Sequence, residues 1–300
     1  MTAASIELPF RVGARTFFRV RRRLVRSAVP LGDALAGRAP CPQCPDDADG
    51  LWLTGVPDAA VPTLAPAGLR PFVRQRYPRH YADLRIGFDA YYAGFSAKRR
   101  ATLRRKEKKL AEASGGAIDV RSYRAPAEMR AFHRLARDVA AATYQERLLG
   151  AALPAGGAFA DALVRAAEAD AVRGWILHVR GEPAAYLHAP AQGDSLLYAH
   201  LGYRPAFADL SVGTMLQLHA MRDLMSEGRF RWFDFTGGDG EHKRQWATGS
   251  VPSADVLLLR PTPGNLAVGH GLGAWDGAVE RGRRLLGAAG LDGVVRRLRR

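Results

Sequence analysis

The chain reads as an α+β fold: a mixed, largely antiparallel sheet flanked by helices, with a small α+β portion at the N-terminus. Three observations predict this. Two helical segments, one from Ser96 to Ala113 and one beginning at Pro126, precede a block of short alternating strands between 172 and 201. A helix over 211–227 then separates two further strands, 229–235 and 254–260. The composition agrees, since 47% hydrophobic and 24% charged residues suit a globular chain with a buried core.

Residues 1–45 carry an arginine-rich arm (FFRVRRRLVR) and then a Gly/Pro/Ala loop. Leu51-Trp-Leu-Thr is a short strand bounded by Gly55 and Pro57, and 69–77 is a second apolar–polar segment. Ser96 is a candidate N-cap for a helix with a thin apolar stripe, Leu103 and Leu110, which Gly115-Gly116 stops. A strand over 118–123 leads to Pro126, which starts an amphipathic helix with Met129, Phe132, Leu135, Ala136 and Val139 at helical spacing. A further helix covers 157–171, with Phe159 and Leu163 inward. Strands 172–179, 184–189 and 195–201, separated by turn residues, read as a three-stranded antiparallel meander. The helix over 211–227 ends at Gly228. After strand 229–235 come a glycine-rich loop (Thr236 to Gly240), a short helix over 241–246 and the last strand. The expected division is 1–90, an N-terminal α+β portion with its basic arm; 91–260, the main domain; and 261–300, a basic amphipathic tail.

The formal net charge of +15 is concentrated. Residues 11–26 hold seven arginines, 98–109 eight basic residues and 281–300 seven more arginines, half of all 44 lysines and arginines. Such clusters attract phosphates, acidic proteins or anionic lipid, or they are simply solvated surface. The longest apolar run, Val256-Leu-Leu-Leu, is far short of a bilayer span, and arginines interrupt the N-terminus where a secretory signal would need an apolar core. The expected location is cytoplasmic; the tail, where Leu285, Leu286, Val294, Val295 and Leu298 sit among arginines, suits a helix packed on the domain and, as the second choice, an interfacial helix on the inner membrane face. Cys41 and Cys44 lie in a loop context, with too few ligands nearby for a structural zinc site, so no metal is expected.

One segment has the chemistry of an anion site. Ser211, Val212, Gly213 and Thr214 combine hydroxyls with a glycine at a helix start, where free backbone N–H groups and the helix dipole favour phosphate. The same pattern also serves as an ordinary helix cap.

Three ordered segments carry a family resemblance. They are Phe95-Ser-Ala-Lys-Arg-Arg-Ala-Thr-Leu-Arg-Arg105 with Lys108-Lys-Leu110; Gly202-Tyr-Arg-Pro-Ala-Phe207 with Leu210-Ser-Val-Gly-Thr-Met-Leu216; and Phe233-Asp-Phe-Thr-Gly-Gly-Asp-Gly-Glu-His-Lys-Arg-Gln-Trp246. Together they resemble the FemAB-like branch of the GNAT acyltransferase superfamily, including its CelD-type acetyltransferases, over about 165 residues. Val212 stands where that family has proline, Arg204 where it has aspartate, and the usual GNAT pyrophosphate signature is absent.

The resemblance implies a GNAT-like fold and direct attack of an amine or hydroxyl acceptor on an acyl thioester, without an enzyme nucleophile. Acetyl-CoA or another acyl-CoA is the expected donor, with an acyl carrier protein or aminoacyl-tRNA as alternatives. The expected acceptor is a small molecule or a glycan or lipid precursor of polysaccharide, envelope or lipid metabolism. Nucleic acid is not an expected partner, although a non-catalytic module with basic ends is a competing reading. Asp234 is the first candidate base and Glu241 the second, each with a capping role as its alternative. Lys243 would anchor a substrate carboxylate or phosphate, and Arg99, Arg104, Tyr203 and Trp246 are the other candidate substrate contacts. His200 reads as a structural histidine rather than a base.

Overall fold

The computed structural model describes residues 2–142, apart from 14, 65 and 67, and residues 153–288. The strands in chain order are β1 (Ala4–Val12), β2 (Arg15–Ala28), β3 (Gly50–Pro57), β4 (Arg70–Asp83), β5 (Asp119–Tyr123), β6 (Val172–Val179), β7 (Glu182–Gln192), β8 (Ser195–Leu197), β9 (His200–Tyr203), β10 (Trp232–Asp234) and β11 (Gly249–Leu259). The helices are α1 (Leu31–Leu35), α2 (Phe88–Ala93), α3 (Ala97–Ala113), α4 (Pro126–Ala141), α5 (Gly157–Glu168), α6 (Val212–Glu227), α7 (Glu241–Trp246) and α8 (Pro263–Ala288). The result is a mixed α+β architecture with mostly antiparallel pairing, as the sequence predicts. It divides into two compact units: Met1–Arg79 with Gly237–Asp239 and Ser250–Arg300, and His80–Thr236 with Gly240–Gly249.

In the first unit the strand order is β1-β2-β3-β11-β4. The arginine-rich arm expected at the N-terminus is in fact β2, hairpin-paired with β1 so that Phe10 lies opposite Phe18. Its period of two is masked by Arg22, which falls on the strand face shared with Leu24. Arg22 is satisfied there by Asn265 Oδ1 (2.7 Å) and Gly264 O (3.0 Å) at the start of α8. Leu8, Phe10 and Leu24 pack with Leu257, Leu259 and Leu272, the last of them on α8. Val25, Leu51, Leu53, Val56, Val256 and Leu258 form a second cluster. The strand read from sequence as 254–260 begins five residues earlier and pairs antiparallel with β3. In the tail Leu285 is 72% exposed, whereas Val294, Val295 and Leu298 lie outside the described residues.

In the second unit the order runs from the end of β4 through β10, β8, β7 and β6 to β5. Every residue of β6 is buried, because helices cover both of its faces. Trp175, Leu177 and Val179 join a cluster with Leu103 and Leu110 of α3 and Met215, Leu216 and Ala220 of α6. Val172 and Ile176 join another with Met129, Phe132 and Val139 of α4 and Leu163 of α5. Two of the sequence-predicted helices are capped at their N-termini. Ser96 Oγ accepts the Arg99 N–H at 3.2 Å, and the Glu128 carboxylate accepts the Ala125 N–H at 3.0 Å in front of Pro126. Helix α6 is tied down at its C-terminal half. Asp223 accepts from Trp175 Nε1 (2.8 Å) and from Arg124 (2.6 Å), and buried Arg173 pairs with Glu227 and with Asp170 (2.6 Å).

Glycine at 174 is required by packing rather than by backbone angle. A Cβ there would lie 2.7 Å from the ring of Phe132, a fully buried side chain. Gly174→Ala is therefore expected to lower stability by about 1–3 kcal/mol through overpacking. Urea denaturation measures this, and an unchanged midpoint would show that the Phe132 ring moves aside at no cost.

Candidate active site

The expected third strand of the meander is broken in two, and the break makes the site. β8 has a neighbour on each side: antiparallel β7 and parallel β10, with Trp232 opposite Ser195. The Tyr198 N–H still donates to Asp234 O (2.8 Å), continuing the β10 side. Two residues on, β9 pairs with β7 alone, Leu201 opposite Leu187. The sheet thus opens beyond Tyr198, on the side of β9 that faces away from β7.

Helix α6 begins at that opening. The chain passes through a 3-10 turn, Pro205–Leu210, and Ser211 takes a left-handed conformation (φ 55°, ψ 36°) with no side-chain capping bond. No side-chain cap competes for the first-turn amides of this 16-residue helix. Gly213 allows the close approach, since a Cβ there would sit 3.3 Å from Leu201 and 3.4 Å from Tyr203.

Between these elements lies a cavity of about 350 Å³. The sheet contributes Tyr198, Leu201 and Tyr203; the turn and α6 contribute Ala208, Ser211, Val212, Gly213, Thr214 and Gln217; α7 contributes His242 and Trp246. Gln217 is 4% exposed, and its Nε2 has no hydrogen-bond partner among the described residues. A buried amide donor left unpaired is costly in a folded protein unless something else accepts from it. Burial pushes the Tyr198 phenol up to about 12, so it is protonated throughout the working range. His242 is held below the ordinary histidine value by burial and then by the Lys243 charge, which leaves a neutral imidazole at pH 7. The two rings lie 6.2 Å apart. The site therefore collects a proton donor, a proton acceptor and a helix N-terminus aimed at an anion or a carbonyl.

The structure gathers six of the sequence-predicted site residues on this one cavity: Ser211, Val212, Gly213, Thr214, Tyr203 and Trp246. Arg99 joins them indirectly. Its guanidinium lies 4.7 Å from the Trp246 ring and 3.6 Å from Phe95, with no carboxylate partner among the described residues. Asp234, Glu241, Lys243 and Arg104 are not among the lining residues. Asp234 is fully buried, and its Oδ1 accepts the Thr236 N–H at 2.7 Å. Glu241 is exposed and bonds Arg244 (2.8 Å) and Gln245 (3.1 Å) on its own helix. Lys243 is half-buried, and Arg104 is exposed on α3. Sequence reasoning missed Tyr198, His242 and Gln217. Only Gln217 left a signal, as a lone amide on a helix whose other inward positions are almost all apolar.

His200 faces a different environment. Its Nδ1 lies 3.1 Å from His188 Nδ1. His188 is pushed down to about 3 by burial, His200 and His133, and burial also lowers His200. Cys41 and Cys44 are free thiols, both raised in pKa chiefly by burial.

Comparison with known proteins agrees with this geometry. Residues 97–244 match the model of the Acetyltransferase (GNAT) domain. The C-terminal domain of an Agrobacterium fabrum protein assigned as a lysylphosphatidylglycerol synthetase superposes with a TM-score of 0.51 at 13% identity, covering 73% of this chain and 71% of that one. FemX superposes with a TM-score of 0.50 at 12% identity, covering 71% and 72%. At such identities the likeness is one of fold. No curated protein sequence matches the chain. The split strand and the helix opening onto it thus lie in a region of GNAT-like fold, within the stretch 97–244 that matches the GNAT domain model.

Proposed function

We propose that the protein transfers an acyl group from a thioester donor, an acyl-CoA in the first instance, to an amine by direct attack. One observation carries the reading. The first turn of α6 and the unpartnered Gln217 amide converge on a cavity that also holds Tyr198 and His242. The amides of 212–214 would bind the donor's pyrophosphate, with Gly213 permitting the approach. Gln217, one turn further in, would donate to a carbonyl of the donor. The acceptor ammonium loses its proton to the neutral imidazole of His242. The freed amine attacks the thioester carbonyl, the C–S bond breaks as the tetrahedral intermediate collapses, Tyr198 O–H protonates the departing thiolate, and the proton shed by the new amide nitrogen returns to the tyrosinate. Asp234, bonded to the Thr236 N–H, is assigned to holding the loop before α7 rather than to taking a proton. Arg99, stacked on Trp246, is assigned to an anionic group of the acceptor, and Lys243 and Arg104 to the phosphates of a long donor.

An aminoacyl-tRNA donor is a second reading, supported by exposed Arg104, Arg105, Lys108 and Lys109 on α3. Thermal-shift measurement separates the two. Acetyl-CoA or longer acyl-CoAs should stabilise the protein, and Gly213→Val should abolish that stabilisation. Stabilisation by aminoacyl-tRNA alone would transfer the case to the second reading, and stabilisation by neither would end both.

Two kinetic outcomes test the proton transfers. Tyr198→Phe should lower kcat by about 10²-fold with little change in KM for the donor, the scale of a lost general acid. A value near wild type would remove Tyr198 from the chemistry. Because the folded-state pKa of His242 is depressed, its base form persists to lower pH than a free histidine's. The acid limb of kcat/KM should accordingly lie below the ordinary value of about 6.5 and vanish in His242→Gln. An acid limb unchanged in that variant would assign the base elsewhere.

A further inference from the structure

The β1–β2 hairpin of the first unit ends in an exposed aromatic and cationic tip that acyl transfer does not use. Phe17 and Phe18 are 52% and 49% exposed. An adjacent pair of half-bared phenylalanines is unfavourable in water unless something covers it. The tip is built rather than frayed. Phe18 stacks on Phe10 with centroids 4.1 Å apart, and Trp275 of α8 meets Phe17 and Phe18 edge-on, each at 5.6 Å. Trp275 Nε1–H donates to Arg11 O at 2.9 Å and fastens the hairpin to the helix.

The charge on the hairpin itself is one-sided; the carboxylate beside it on α8, Asp276, is taken by Arg74 at 2.9 Å. Residues 4–28 contain seven arginines and a single carboxylate, Glu7. Glu7 is engaged by Arg19 and Arg21, well back from the tip. Arg11 donates only to Thr16 Oγ1 (3.2 Å), and Arg15 lies 5.3 Å over the Phe17 ring. Among the described residues neither has a carboxylate partner. Beside the tip, Arg11, Gly13, Arg74, Arg76, Gly273 and Gly277 line part of a cavity of about 610 Å³. A Cβ on either Gly273 or Gly277 would meet nothing within 4 Å, so the helix side of that cavity is open.

We infer that this hairpin tip docks the protein on a membrane surface rich in anionic phospholipid. Phe17 and Phe18 would enter the boundary between headgroups and acyl chains while Arg11 and Arg15 meet the lipid phosphates. Half-buried aromatics ringed by arginine fit such an interface, where the apolar body finds hydrocarbon and the cation finds phosphate. Among the described residues no helix is long and apolar enough to cross a bilayer, so this contact is peripheral. Single-stranded RNA would need open ring faces for base stacking. Here one face of Phe18 is taken by Phe10, and Arg15 covers Phe17. The lipid surface is therefore the better fit.

Vesicle co-sedimentation of the full chain tests this with phosphatidylcholine vesicles, the same vesicles containing phosphatidylglycerol, and an RNA homopolymer. The expected result is binding to the anionic vesicles that weakens with salt, little binding to neutral ones, and weaker association with RNA. Arg15→Gln and Arg11→Gln should each reduce vesicle affinity about fivefold, and Phe17→Ser should reduce it further at high salt. Phe17 is chosen because Phe18 also supports the hairpin. A thermal melt matching wild type certifies each variant's fold. Equal binding to neutral and anionic vesicles, wild-type affinity in all three folded variants, or a preference for RNA would overturn the inference.

Discussion

The site depends on a change of partner along one strand. Over 195–197 the chain is hydrogen-bonded on both sides, to β7 and β10, and over 200–203 on the β7 side only. A β-sheet satisfies its backbone groups laterally, so a strand that loses a neighbour leaves an edge that something must cover. Here the cover is the N-terminal turn of α6, and the space left between them is the cavity. The helix can be trusted with this because its other end is anchored, through Asp223 to Trp175 and through Glu227 to buried Arg173. Those ties link α6 to β6, a strand whose two faces are both inside the protein.

Burial then sets the chemistry. It raises the Tyr198 phenol, while partial desolvation at the cavity wall and the Lys243 charge lower the imidazole of the otherwise exposed His242, so both groups are neutral at pH 7. A protonated phenol and a neutral imidazole are the donor and acceptor that the proposed aminolysis calls for. Positive charge at the site comes from the helix terminus and from Arg99 on Trp246, with no metal invoked. Asp234 differs: its side chain has 0% exposure, and its Oδ1 accepts the Thr236 N–H.

Much of this was legible in the sequence. Period-3.6 patterns located α3, α4 and α6, turn residues located the strands after 172, and the Ser-Val-Gly-Thr segment located one wall of the cavity. The errors have physical causes. β2 was hidden because an arginine holds an inward position where Asn265 satisfies it. The break at Tyr198 was invisible because it follows from which strand lies alongside, and a local pattern of apolar residues does not contain that. The bonds of Glu241 to Arg244 and Gln245 are local to one helix, but no motif specifies them.

By itself the sequence determined the order and type of most elements, the apolar faces of the helices, the helix start that opens onto the cavity and the strong positive charge. These are consequences of near neighbours in the chain, where side-chain period and backbone preference act directly. The tertiary structure alone decided that Tyr198, Gln217 and His242 share one space, that the Asp234 side chain is fully buried, and that Phe17 and Phe18 emerge beside Arg11 and Arg15, which have no carboxylate partner among the described residues. Each of those depends on contacts between segments far apart in sequence, and on burial, which no residue possesses until the sheet has closed around it.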